Sequence, residues 1–293
     1  MTMSAPSAGR SPLVALLPAL FVVLWATGFI GAKFGLPYAG PMIFLTLRFA
    51  LTTAVMLAAS LALAAWPASP REAGHVAVVG LLVQFTYLGG VFFGISRGVS
   101  AGVAALIVGL QPVLTAALAR AALGERVAPR QWLGLALGLV GVALVVGQKV
   151  GFDARSLGGA VAVVVALFGI TAGTLYQKRH CGGIDLRSAT VIQNGVAGAA
   201  MLLCAVAFEP VRVEWTAEFV FALVWLCLVL SVSATILLFV LLRRGAAAQV
   251  ASLFYLVPPV TAFIAYLLFG ETLGPTAILG MICAMAAVAL VNR

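Results

Sequence analysis

The chain has 293 residues, of which 63% are hydrophobic and 9% charged, and its mean hydropathy is +1.18. Soluble domains hold about 45–50% apolar and 25% charged residues, so a water-soluble fold is excluded and lipid must solvate most of the surface. The net charge of +9 sits singly or in pairs at the ends of apolar runs, which excludes the basic block of a nucleic-acid binder.

A membrane-crossing helix needs about 20 apolar residues. Ten such segments follow one another: 13–36, 41–64, 75–96, 99–121, 130–148, 157–177, 188–208, 217–242, 246–269 and 274–292. Runs as long and unbroken as Gly134 to Gly147 exclude a β-barrel, whose segments of about ten residues alternate in polarity. The expected fold is therefore an all-α polytopic membrane protein of ten transmembrane helices. The first run, from Leu13 to Ile30, exceeds the apolar core of a signal peptide and reads as a retained span.

Polar and large aromatic groups at membrane depth tend to face the bundle interior or a wet cavity. In span 1 that group is Trp25, a candidate cavity wall. Span 2 carries Arg48 about seven residues from its start, the most deeply placed cation and a candidate gate residue. Gln84 and Tyr87 in span 3 are three apart, hence on one face of an α-helix. They could hold the carboxylate and amine of a zwitterion, or simply bond between helices for about 0.6 kcal/mol. Gln111-Pro112 interrupts span 4, and Pro258-Pro259 interrupts span 9. Proline frees a carbonyl one turn earlier, so Pro112, Pro258 and Pro259 are candidate hinge or cavity positions, with Gln111 beside the first. Ser252 and Tyr255, again three apart, precede the second interruption and complete the candidate substrate-binding set of Trp25, Gln84, Tyr87, Gln111, Ser252 and Tyr255. Gly134, Gly138 and Gly141 give span 5 a small face for close packing, within a monomer or across a homodimer.

The chain repeats itself. Gly98, Ala101, Val103, Ala104, Leu106, Pro112 and Val113 recur 147 residues later, and Thr115, Ala116, Gly124 and Glu125 recur 146 residues later. Shared apolar bias does not account for the paired Pro or the paired Gly-Glu. The expected halves are 1–148 and 149–293, each of five spans. Five is odd, so the second half would be inverted, the pattern of secondary transporters with a midplane site. Glu125 and Glu271 then end spans 4 and 9 on opposite sides, as candidate gate residues. With both termini cytoplasmic, eleven Lys and Arg fall inside and six outside, as the positive-inside rule favours.

Leu24-Trp-Ala-Thr-Gly-Phe29 in span 1, Leu47-Arg-Phe49 in span 2 and the segments Pro112–Glu125 and Pro259–Glu271 resemble the EamA-type drug/metabolite transporter superfamily over nearly the whole chain. The size is similar to that of its bacterial amino-acid exporters. The resemblance implies an exporter of the bacterial inner membrane, with a central cavity lined chiefly by spans 1, 3, 4, 6, 8 and 9. Span 6 departs from span 1: Phe168 stands where a second Trp25 would be expected.

The function these readings imply is export of neutral or aromatic amino acids, or related small metabolites, by alternating access. Amines, nucleosides and lipid-like solutes are alternatives within transport. All eight acids lie in loops or at helix ends, which speaks against a proton relay through a buried carboxylate. Gly98-Val-Ser-Ala-Gly102 matches GxSxG, but it opens an apolar helix instead of a strand-turn-helix elbow, so no hydrolase and no catalytic residue is expected. No metal or other cofactor is expected, and the partners are a small-molecule substrate and the bilayer.

Overall fold

A computed structural model describes residues 12–63, 66–67, 69–112, 114–115, 118, 128–146, 154–234, 237–238, 240–241, 250, 252–270 and 275–292. The described residues are helical, with a lone β-bridge between Ala39 and Val213 and no strand. The elements are α1 (Pro12–Gly35), α2 (Pro41–Leu63), α3 (Pro70–Ser96), α4 (Ala101–Gly109), α5 (Pro129–Val146), α6 (Ala154–His180), α7 (Leu186–Phe208), α8 (Ala217–Ala234), α9 (Phe254–Phe269) and α10 (Pro275–Asn292). Six of them, α1, α2, α3, α6, α7 and α8, are long and apolar enough to cross a membrane. Segments within α5, α9 and α10 are apolar but shorter. Leu61, Leu203 and Phe208 each expose about three quarters of their surface. Water would penalise that exposure; acyl chains do not.

The helix ends obey local chemistry. Ser69 caps α3 by accepting from Glu72 N at 3.2 Å, with Pro70 in the first turn. At its other end Gly98 adopts φ +94°, while Gly98 N and Val99 N donate to Ile95 O and Gly94 O. That is a Schellman motif, and it requires glycine. Thr216 caps α8 by accepting from Phe219 N. The start of α2 has no such residue, since Gly40 precedes Pro41. Its cap is imported: the Glu209 carboxylate at the end of α7 accepts from Met42 N at 3.0 and 3.1 Å and from Ile43 N at 3.2 Å.

Asp185 caps α7, accepting from Arg187 N at 2.8 Å and facing the Arg187 guanidinium at 3.3 Å. Slight burial alone would raise its carboxyl, but these bonds from Arg187 outweigh it and hold the group below its usual range. A depressed folded-state value stabilises above the unfolded-state value and is lost as pH falls through the folded one. The protection of the first-turn amides of α7, taken relative to their intrinsic exchange rates at each pH, should therefore fall on acidification in the wild type. In Asp185→Asn it should be lower at neutral pH and unchanged by that acidification.

The helix contacts repeat on a five-helix period. α2 packs along α7, and α5 along α10. α1 lies on α8, and its counterpart α6 lies on α3; α1 also meets α9, as α6 meets α4. Glycines make the close seams in both halves. A Cβ at Gly28 or Gly31 would strike Leu230 or Leu226 of α8, and one at Gly169 or Gly173 would strike Leu82, Val83 or Thr86 of α3. Between lipid-solvated helices there is little hydrophobic drive, so such small-residue contacts supply much of the association.

Both α3 and α8 are wound as π-helix over part of their length, at Gly80–Leu88 and Trp225–Ala234. Side-chain hydroxyls reach the fifth carbonyl back in each: Thr86 to Leu81, Ser231 to Leu226 and Ser233 to Leu228, at 2.8 to 3.1 Å. π segments mark functional positions often enough to direct attention to what these two present.

Candidate functional site

Arg48 is 3% exposed. Its Nε donates to Ser231 Oγ of α8 at 3.0 Å. The hydroxyl itself donates to Leu226 O, which leaves its lone pairs to the guanidinium. Arg48 and Tyr87 lie in one another's electrostatic field, and Trp25 neighbours the Tyr87 hydroxyl. Cys227 completes the ring, accepting from Thr52 Oγ1 at 3.4 Å while facing Arg48. α1, α2 and α3 of the first half and α8 of the second thus converge on one polar cluster. Phe21 and Phe254 stand against Trp25, with ring centroids 5.2 Å from it, and form an aromatic wall on its edge.

A second polar link lies along the same seam. Trp225 Nε1 donates to Thr27 Oγ1 at 3.0 Å, and Thr27 donates to Leu24 O at 2.6 Å. The outer side of Trp225 contributes to an open apolar trough of about 560 Å³ along α8, bordered by Trp215, Phe221 and Leu228. The trough and the Arg48 cluster are separate features.

The predicted site residues are divided by the structure. Trp25 and Tyr87 meet at the cluster, and Arg48 joins them. Gln84 does not share the face of Tyr87. Both fall in the π segment of α3, where side chains three apart no longer align because the bonded repeat is i to i+5. Tyr87 is buried and Gln84 half-buried. For Ser252 and Tyr255 the opposite holds. A 3₁₀ turn, Phe254–Leu256, tightens the start of α9, so residues three apart eclipse and both are buried. The Tyr255 ring covers Gly138 of α5, where a Cβ would come within 2.7 to 2.8 Å of it, and so fills part of the glycine face on which Gly134 and Gly141 are also buried.

Gln111 and Pro112 are buried just past a turn at Leu110 that ends the regular part of α4. In α9 the α-helical winding restarts at Val257, which puts Pro258 and Pro259 in its first turn, where a missing N–H costs least. The interruption predicted at the prolines thus takes the form of the 3₁₀ turn just before them. Glu125 and Glu271 lie outside the described residues. Ser231 and Cys227 escaped the sequence reading. The signal for Ser231 was a pair of hydroxyls, Ser231 and Ser233, inside an apolar run.

The GxSxG serine, Ser100, follows the Schellman turn that ends α3. His75 stands near the start of that helix, within 2.7 Å of the Tyr176 hydroxyl and stacked on His180. The length of α3 separates serine from imidazole, and no triad forms.

Comparison with known proteins agrees with a transport protein. The pattern of the EamA-like transporter family matches twice, over residues 12–147 and 157–293. A Bacillus subtilis protein, "Uncharacterized transporter YvbV", is 24% identical across 95% of this chain and 91% of its own. A Salmonella typhimurium "Probable amino-acid metabolite efflux pump" is 26% identical across 92% and 91%. The Escherichia coli K12 "Uncharacterized inner membrane transporter YedA" is 25% identical across 96% and 90%. A solved crystal structure, 20% identical over 94% of this chain and 95% of that one, superposes with a TM-score of 0.75 and shares the fold.

Proposed function

Because this chain belongs to the EamA-like transporter family, a membrane transporter family rather than an enzyme family, we propose that it exports neutral or aromatic amino acids, or related small metabolites, across the bacterial inner membrane. The observation that carries this reading is the convergence of Trp25, Tyr87 and Arg48 with Ser231, three helices of one half meeting one of the other. A solute held there touches both halves. Tilting one half against the other would then open it to one side at a time. The five-helix period of the packing supports two inverted repeats, 1–148 and 149–293, and hence ten spans with both termini cytoplasmic. The name of the Salmonella relative supports amino-acid metabolites as the substrate class.

No carboxylate lies at mid-helix among the described residues, which supports a facilitator or exchanger over a proton-coupled pump. Efflux of labelled neutral and aromatic amino acids from proteoliposomes tests both points. Efflux is expected to survive collapse of the pH gradient. Trp25→Ala should slow it about three- to tenfold, the worth of an aromatic contact. Absence of amino-acid efflux above protein-free liposomes would remove the substrate class, and arrest on collapsing the gradient would remove the uncoupled mechanism. The apolar trough beside Trp225 favours a second reading, a lipid-like solute moving along α8. It would show as transport that Trp225→Ala weakens and Trp25→Ala leaves intact.

A further inference from the structure

The guanidinium of Arg48 is buried, and its Nη1 meets no hydrogen-bond acceptor among the described residues. Nε is engaged by a neutral hydroxyl. The acids among the described residues are Glu72, Asp185, Glu209, Glu214 and Glu218, all at or beyond helix ends. An arginine cannot shed its proton in a protein. A buried cation with an unmet donor is costly, and a purely structural position could carry an apolar side chain instead. Its planar fork matches a carboxylate in bidentate fashion. Tyr87, whose hydroxyl can donate to the same anion, lies in its electrostatic field; Trp25 neighbours Tyr87, and Phe21 and Phe254 pack against Trp25 as a ring wall.

We propose that Arg48 is the carboxylate anchor of the transported solute, and that the site requires an organic acid with an apolar or aromatic body but not an amine. The proposal deepens the reading above, since it rests on the cluster being where the solute binds. The amine is dispensable because a substrate ammonium would find no acid near Arg48 among the described residues, and would lie in the field of a fixed cation. An arylalkanoate should therefore bind at least as well as the matching amino acid.

The test uses the full chain in lipid nanodiscs and four probes of one shape: 3-phenylpropionate, L-phenylalanine, 3-phenylpropanamide and phenethylamine. Binding is read from quenching of intrinsic tryptophan fluorescence and by calorimetry at pH 7.5. The acid is expected to bind ten- to a hundredfold tighter than the amide, the usual worth of a charge-assisted pair, and the amine to bind more weakly still. Arg48→Gln should abolish the preference of acid over amide, whereas Arg48→Lys should keep part of it. Comparison of acid with amide on the wild type needs no variant, so a misfolded Arg48→Gln does not rescue the proposal. Equal affinity for acid and amide, tighter binding of the amine, or no binding of the acid overturns it. Amino-acid efflux without any acid preference would overturn the anchor and leave the transporter reading standing. Acid binding that depends on Arg48, without efflux of any probe, would do the reverse.

Discussion

A Gly80→Val substitution is expected to prevent assembly, leaving the protein aggregated on size exclusion, with no cooperative melt. A Cβ at Gly80 would fall 2.7 Å from both Cα and O of Gln193 and 3.1 Å from its carbonyl carbon. All three are backbone atoms of α7, so no rotamer change makes room. Overpacking a core costs about 1–3 kcal/mol when side chains can yield; here a whole helix must move. α3 is also pinned on its other side, where Gly94 of α3 and Gly159 of α6 each face the other's carbonyl, so it has nowhere to retreat. Gly80→Ala should fail nearly as badly, because the first carbon makes the clash. Gly74→Ala is the control: it lies on the same helix, and its Cβ would meet nothing within 4 Å. A well-folded Gly80→Val protein would show that α3 and α7 are not in backbone contact.

The second large effect concerns the borrowed cap. Glu209→Ala should destabilise the protein by about 2–3 kcal/mol, read as a drop in its thermal midpoint in detergent. The carboxylate answers two backbone N–H groups in the first turn of α2, where charge-assisted bonds are worth about 1.5–3 kcal/mol and the helix dipole favours an anion. Glu209→Gln keeps an acceptor and should recover roughly half. Gly40→Ala provides an independent approach, since a Cβ there would come 2.5 Å from Glu209 Oε2 and displace it. The two changes break one interaction, so the double variant should be scarcely worse than either alone. Full additivity would mean that Glu209 does not cap α2.

The architecture was legible because long apolar runs in lipid leave few options. The helix starts at Pro41 and Pro129, and the stops near Gly35 and Ser96, are written in Pro and Gly. Caps made from nearby residues were readable in the same way: Ser69 with Glu72 is a capping box. The cap of α2 was not, because its donor of charge sits 167 residues away and only folding brings it near. At the candidate site the residue types were legible and their grouping was not. Trp25, Arg48 and Tyr87 each stood out as polar or aromatic at depth, but which of them meet depends on helix rotation. Rotation was assigned on an α-helical wheel, which fails for Gln84 in a π turn. Ser231 was hidden for a related reason: a hydroxyl in an apolar run gives no sign of which neighbour it faces.

The π winding has a longer reach than the site itself. A π segment holds one more residue than an α-helix of the same rise, so it acts as a dislocation in an otherwise regular lattice. Everything beyond it is turned by about 100° from its place on an α-helical wheel, one residue's worth of twist. Pro70–Val79 and Gly89–Ser96 of α3 are therefore two crystals of different phase joined at a defect, and in α8 a second defect adjoins the regular lattice of Ala217–Val224. Such a defect can glide by exchanging one hydrogen bond at a time, without melting the rod. Excising one residue from Gly80–Leu88 would anneal it and leave Arg71 and His75 facing as they do relative to Phe92, whereas the same excision within the regular Pro70–Val79 stretch, C-terminal to His75, would turn them by about 100°.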